Sequence, residues 1–196
     1  MINFFIGLFL ASFIIVLFSE RLYRLIFWYA FNSLALGIVT ILVGIEHLDN
    51  ALIISGSLTI LLKAGVIPFV LKNISQRFNL IREITPNVPI HYSIILIPAI
   101  IIFTFYLAQP MSSMIVINSH YIAISISSFF LALILMIEHG SVAPKIIAFL
   151  MMENALFLLG TIATKGMPMF IELGIFFDVM MAIVIINLLF KEEHIK

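Results

Sequence analysis

The stretch FLMMENALFLLG, residues 149–160, places a carboxylate and an amide, Glu153 and Asn154, inside a run that is otherwise apolar. It belongs to a longer apolar stretch, and about 20 such residues in a helix cross the hydrocarbon core of a bilayer. Over the whole chain of 196 residues, 63% are hydrophobic and only 10% are charged, which is outside the range of soluble domains. The sequence therefore predicts an all-α integral membrane protein.

Seven apolar stretches are long enough to span a membrane as helices, and irregular backbone is not tolerated against lipid. The first lacks a basic leader and a small-residue cleavage motif, so we interpret it as a retained helix rather than a signal peptide. The seven predicted transmembrane helices cover residues 2–18, 25–45, 51–71, 91–109, 119–137, 145–163 and 169–190.

The loops between these helices differ in basic charge from one side of the membrane to the other. One side has Lys165 alone. The opposite side carries Arg21, Arg24, Lys72, Arg77, Arg82, Lys145, Lys191 and Lys196. Because short cytoplasmic loops collect Lys and Arg, we expect the N-terminus outside and the C-terminus in the cytoplasm.

Four ionisable residues remain inside the predicted helices: Lys63, Glu153, Asp178 and, nearer an end, Glu172. At ~1.5 Å per residue, Glu153 and Asp178 lie roughly 13 Å deep and Lys63 roughly 18 Å from the outer face. Each costs about 2.5–3.5 kcal/mol on insertion scales, so each is expected to face protein or water. Titratable groups at one depth are typical of a proton relay. The alternative is a set of buried ion pairs and hydrogen bonds that fixes the packing of the helices, in which Asn154 joins neighbouring helices by hydrogen bonds.

Lys63 lies in the stretch LLKAGVIPFVLKN, in which Pro68 removes a backbone donor. Broken helices beside embedded charges are typical of sites where ions or water enter a membrane. We therefore predict a helix break at Pro68 beside a buried lysine. The alternative is an ordinary proline kink with the lysine side chain reaching for the interface.

A stripe of small residues, Ala30, Gly37 and Gly44, recurs at seven-residue spacing along the second predicted helix. Small residues in this pattern let helix backbones approach closely in membranes. The stripe predicts a tightly packed neighbouring helix.

Glu138, His139 and Lys145 cluster in the loop between the fifth and sixth predicted helices, on the predicted cytoplasmic side. We interpret them as a site of proton uptake that loads Glu153. A solvated turn explains the same residues equally well.

Several kinds of chemistry are not expected in this chain. It has no cysteine, and no two of its histidines share the depth of the membrane midplane, so we predict no iron–sulfur ligation, no bis-histidine haem and no metal site. Lys plus Arg and Asp plus Glu both number 10, so nothing in the net charge indicates nucleic-acid binding. Any redox cofactor is expected in a partner protein.

The stretch FLMMENALFLLGTIATKGMPMFIELGIFFDVMMAIVIINLL carries, in order, the motifs MEN, G-x-P, E-L-G and F-D. Together with SERLYRLIFWYAFNSLALG and LTILLKAGVIPFVLKN, it resembles component E of the hydrogenase-4 and formate hydrogenlyase type, a membrane subunit of group 4 nickel–iron hydrogenase complexes. The resemblance covers most of the chain. The last three predicted helices, residues 119–190, are also similar to the small K subunit of respiratory complex I and to the C subunit of multisubunit sodium/proton antiporters.

In the K-like family, two carboxylates on successive helices belong to the chain of charges that carries protons through the membrane arm. Glu153 matches the first carboxylate and Asp178 the second, where the K subunits have glutamate. The resemblance implies a four-helix membrane region at residues 1–118. It also implies a three-helix K-like region with a short cytoplasmic tail at residues 119–196.

The resemblance further implies a non-redox subunit with no catalytic centre or cofactor of its own, in the cytoplasmic (inner) membrane of a prokaryote. Its expected partners are other membrane subunits, including antiporter-like ones, and cytoplasmic nickel–iron and iron–sulfur subunits. The expected function is coupled proton or sodium translocation through Lys63, Glu153 and Asp178. Two alternatives remain: a scaffold that docks the catalytic arm without carrying ions, and a stand-alone carrier for a small solute.

Overall fold

The structure is a computed structural model, and it describes residues 1–77, 90–110 and 119–163. Most of these residues lie in helices. A π-helical segment, Ile60–Val66, joins α3 and α4 into one continuous rod. The helices are α1 (Ile2–Leu17), α2 (Leu22–His47), α3 (Asn50–Thr59), α4 (Ile67–Arg77), α5 (Ile90–Ala108), α6 (Ser119–Glu138) and α7 (Val142–Ala163).

Four helical stretches among the described residues are long and apolar enough to cross a membrane: Leu22–His47, Asn50–Asn73, Ser119–Glu138 and Val142–Ile162. The shorter apolar helices, Ile2–Leu17 and Tyr92–Ala108, correspond to the first and fourth predicted spans. The prediction of an α-helical membrane protein is thus confirmed. The seventh predicted span lies outside the described residues, and the count of seven and the orientation stay predictions.

Helix α2 is the centre of the packing. It contacts α1, α3, the π-helical segment, α4 and α7, while α6 packs against α7, α5 and α1. The rod of α3 and α4 and the helix α7 therefore both border α2. This arrangement decides which of the polar side chains can meet.

Glycines bring α2 and α3 close together. A Cβ atom at Gly56 would lie 2.7 Å from Cγ1 of Ile41 and 2.8 Å from the carbonyl oxygen of Gly37, and one at Gly44 would lie 2.9 Å from Cβ of Leu52. Real Cβ atoms do not approach other heavy atoms so closely, so larger residues at these positions would separate the helices. The predicted close packing is present at Gly37 and Gly44.

The predicted helix break at Pro68 is corrected by the structure. The rod continues through Pro68, and its irregularity is the π-helical segment Ile60–Val66 immediately before the proline. A proline ring clashes with the carbonyl group one α-helical turn earlier, and a widened turn accommodates the ring without interrupting the helix. The irregular turn contains Lys63, which is the only residue of the segment with a buried side chain.

Candidate functional site

Two of the charges predicted at the membrane midplane form a buried ion pair. Nζ of Lys63, in the π-helical segment, lies 3.2 Å from Oε1 of Glu153 on α7. Lys63 is 0% exposed, and Glu153 is 7% exposed. Both groups are thus removed from lipid and held against each other, as expected for charges within a membrane.

The lysine side chain bridges the rod and α7, both of which contact α2. Its length lets the ammonium group reach the carboxylate on α7 from the rod. Lys63 is among the largest fully buried side chains of the described residues. The pair therefore joins the rod to α7.

Asn154 connects this ion pair to α2. Its Oδ1 atom accepts a hydrogen bond from Nζ of Lys63 at 3.2 Å. Its Nδ2 atom donates to Oδ1 of Asn32 and to Oγ of Ser33, each at 2.9 Å. An ammonium group only donates hydrogen bonds, so Lys63 determines that the oxygen of the Asn154 amide faces it and that the NH₂ group faces α2.

The same ordering continues from α2 to α1. Nδ2 of Asn32 donates to Oγ of Ser12 at 2.8 Å and to the carbonyl oxygen of Phe9 at 3.3 Å. The Ser12 hydroxyl donates to that carbonyl oxygen at 2.6 Å. The NH₂ groups of Asn154 and Asn32 thus each donate both of their hydrogens. One directed network links four helical elements: the rod, α7, α2 and α1.

An aromatic ring also lies close to the lysine. The ring centroid of Phe157 lies 5.8 Å from Nζ of Lys63, within the range of a cation–π interaction. Phe157 follows Glu153 by one helical turn, so both side chains leave the same face of α7. With Asn154, they enclose the ammonium group from the side of α7.

Among the described members of this network, only Lys63 and Glu153 carry an acidic or a basic group, because amides and serine hydroxyls do not titrate. The amides therefore support the pair, which contains the groups that are capable of acid–base chemistry. In the part of the chain that the structure describes, no group of three or more His, Cys, Asp or Glu side chains is arranged to hold a metal ion.

The structure separates Lys145 from the other two residues of the predicted proton-uptake cluster. Glu138 and His139, at the end of α6, are buried, whereas Lys145 is exposed near the start of α7. Oε1 of Glu138 accepts a hydrogen bond from the Ser93 hydroxyl on α5, and Nδ1 of His139 lies 3.0 Å from the carbonyl oxygen of Leu135. The carboxylate thus joins α6 to α5 and does not share its environment with Lys145. A solvated turn does not describe Glu138 and His139.

The remaining predicted site residues, Asp178 and Glu172, lie outside the described residues. The structure thus brings together Lys63 and Glu153 of the predicted relay.

Sequence reasoning missed four polar partners: Asn32, Ser33 and Ser12, which support the pair, and Ser93, which bonds to Glu138. All four are buried. A signal was present, because Asn32 and Ser33 are adjacent polar residues in the middle of the second predicted span. Ser12 and Ser93 carry no comparable signal, since single serines are common in membrane helices.

Comparison with known proteins gives a relative without an assigned activity. The chain is 27% identical over 187 residues to the uncharacterized protein Rv0085 of Mycobacterium tuberculosis, a match that covers 93% of this chain and 84% of that protein. No protein-family model and no solved structure matches the chain. The similarity extends over nearly the whole chain, and the resemblance to hydrogenase-4 component E stays a prediction.

Proposed function

We propose that this chain is a non-redox membrane subunit of a hydrogenase or related respiratory complex, in which Lys63 and Glu153 take part in coupled ion translocation. One observation carries the proposal: the two titratable groups meet at 3.2 Å in a buried site. A buried ion pair is weak support for stability, because well-packed apolar residues of similar volume are often as stable or more stable. Ionisable residues inside membrane helices are therefore functional candidates by default.

The chemistry follows from the charge of the pair. A proton that binds to Glu153 neutralises the carboxylate and removes the counter-charge that lies 3.2 Å from the Lys63 ammonium. A buried ammonium without a counter-charge is unfavourable, so proton binding at Glu153 favours proton release from Lys63. This coupling is the elementary step that a relay requires.

The wider proposal adopts the predicted topology. The chain would cross the cytoplasmic membrane of a prokaryote seven times with its N-terminus outside, and Asp178 and Glu172 on the seventh helix would continue the relay. Glu138 with its Ser93 partner would take up protons on the cytoplasmic side. Antiporter-like membrane subunits would complete the path, and cytoplasmic nickel–iron and iron–sulfur subunits would supply the driving reaction.

The test is Glu153→Gln in the assembled complex. The glutamine keeps an oxygen that can accept from Lys63 but cannot exchange protons, so we expect assembly to be intact and ion pumping to be abolished. Glu46→Gln is the matched control, because Glu46 is exposed near the end of α2. Normal pumping by Glu153→Gln would contradict the proposal.

A scaffold is the second candidate, and the directed amide network favours it. Asn154 and Asn32 join α7, α2 and α1, which is what a rigid docking platform needs. Under this alternative, Glu153→Gln would reduce the amount of assembled complex, while complexes that do assemble would pump normally. The two outcomes are separated by measuring pumping per assembled complex.

A further inference from the structure

We infer that the ammonium group of Lys63 occupies the position of a bound monovalent cation, so that this site excludes Na⁺ and exchanges protons only. The exclusion of Na⁺ depends on the geometry of the site. The exchange of protons depends in addition on the function proposed above. The inference thus assigns the ion that the sequence left open between H⁺ and Na⁺.

The groups around the ammonium are those that bind alkali cations. Nζ lies 3.2 Å from a carboxylate oxygen of Glu153 and 3.2 Å from the amide oxygen of Asn154, and it lies over the face of the Phe157 ring at 5.8 Å. Hard cations prefer oxygen ligands, and cations also bind to aromatic faces. A tethered positive charge therefore fills the place that a free ion would otherwise take.

The neighbouring amide and hydroxyl oxygens already accept hydrogen bonds. Oδ1 of Asn32 and Oγ of Ser33 accept the two hydrogens of the Asn154 amide, and Oγ of Ser12 accepts from Asn32. A sodium ion needs several oxygen ligands to replace its hydration shell. To obtain the amide and hydroxyl oxygens as ligands, it would have to compete with these buried hydrogen bonds, and each donor left without its acceptor would weaken binding.

The charge balance also opposes Na⁺. Among the described residues, one carboxylate faces one ammonium, so an added Na⁺ would give this pair a net positive charge. A proton needs no set of ligands, because it binds covalently to Glu153 or leaves Lys63. The pair can therefore change its protonation without opening, whereas Na⁺ requires the ammonium to leave.

The experiment measures reaction of Glu153 with a hydrophobic carbodiimide, which modifies protonated carboxyl groups, in the purified complex. NaCl is titrated against choline chloride at constant ionic strength, and the modified peptide is quantified by mass spectrometry. In the wild type, we expect Na⁺ to change the modification rate by less than about twofold. In Lys63→Ala, which removes the ammonium, we expect Na⁺ at ten times its Kd to slow modification about tenfold.

Two results would overturn the inference: slowing of modification by Na⁺ in the wild type, or no response to Na⁺ in an assembled Lys63→Ala complex. If Lys63→Ala does not assemble, Lys63→Gln provides an uncharged variant with an added amide oxygen, and the same Na⁺ response is expected of it. The wild-type titration applies in either case. Choline chloride separates binding of Na⁺ from general effects of salt.

Failure of this inference is distinguishable from failure of the proposed function, because carbodiimide modification does not depend on transport. If Glu153→Gln pumps normally while Na⁺ leaves modification of the wild type unchanged, the proposed function is wrong and the exclusion of Na⁺ stands. If Glu153→Gln abolishes pumping while Na⁺ slows modification of the wild type, the function stands and the inference is wrong.

Discussion

Asn154 on α7 donates a hydrogen bond to Asn32 on α2, with Nδ2 and Oδ1 separated by 2.9 Å. Both residues are completely buried, and the other end of each amide is also occupied. Because the hydrogen bond from Lys63 sets the direction of the first amide and the first amide sets the direction of the second, the position of Lys63 is linked to the packing of α1. The amides thus do more than fill space between helices.

Replacing Asn154 by leucine tests this link. The apolar side chain removes the oxygen that faces Lys63 and the NH₂ group that faces Asn32 and Ser33, so buried donors and acceptors lose their partners. We expect the free energy of unfolding of the full-length chain to fall by about 1–3 kcal/mol. The measurement is equilibrium unfolding in mixed micelles with a denaturing detergent.

The control for this experiment is Ser57→Ala. Ser57 is exposed, and its hydroxyl bonds only to the carbonyl oxygen of Ile53 within its own helix among the contacts described. Its removal is expected to change stability by no more than about 0.5 kcal/mol. Equal effects of Asn154→Leu and Ser57→Ala would mean that the amide network contributes nothing measurable.

The ion pair is tested by a double-mutant cycle on Lys63 and Glu153. Glu153→Leu leaves a buried ammonium without its counter-charge and should cost about 3–5 kcal/mol of unfolding free energy. Adding Lys63→Leu removes that charge, so the double variant should regain most of the loss. The measurement is the unfolding free energy of the wild type, both single variants and the double variant.

The cycle gives the coupling energy between Lys63 and Glu153, and its size is the result that tests the pair. A coupling energy of several kcal/mol between Lys63 and Glu153 is expected for directly paired buried charges. Additive effects of the two single substitutions would show that the groups do not interact in the membrane, and would contradict the distance of 3.2 Å.

The close approach of α2 and α3 gives a prediction about helix packing. In Gly56→Ala, the added Cβ would lie 2.7 Å from Ile41 and 2.8 Å from the carbonyl oxygen of Gly37, so the helices must separate. Overpacking of this kind costs about 1–3 kcal/mol. Gly7→Ala is the matched control, because nothing lies within 4 Å of a Cβ at Gly7.

At Gly7, alanine is the better helix former, so the same substitution should be neutral or stabilising by up to about 1 kcal/mol. Thermal unfolding of both variants in the same detergent provides the comparison. If Gly56→Ala is as stable as Gly7→Ala, the two helices are less closely packed than the geometry indicates.

The sequence predicted a similar level for Lys63 and Glu153 along their helices, and their contact at 3.2 Å agrees with that level. Counting residues from the helix ends placed Lys63 and Glu153 at a similar level, and opposite charges at one level in a small bundle have few alternatives to pairing. The π-helical turn was not predictable, because Pro68 indicates an irregularity but not its form. A kink, a break and a widened turn all remove the same clash.

The hydrogen bond between Asn154 and Asn32 could not be predicted from the sequence for a different reason. Whether Asn32 points to α7 or to lipid depends on the rotation of α2 about its axis, and the glycine contacts with α3 set that rotation. For Glu138 and Lys145, the sequence predicted a cluster that the structure does not show, because the two residues are close in sequence. The turn between α6 and α7 leaves Lys145 exposed and buries Glu138 against α5.

That burial leads to the last prediction, Glu138→Gln in the assembled complex. The glutamine oxygen can still accept from the Ser93 hydroxyl, so assembly and stability should stay close to wild type. If Glu138 takes up protons, loss of its acid–base function should slow pumping by about tenfold or more. Lys145→Gln is the control, because that side chain is exposed and should pump at the wild-type rate. Equal pumping by Glu138→Gln and the wild type would show that Glu138 does not take up protons and serves only to join α6 to α5.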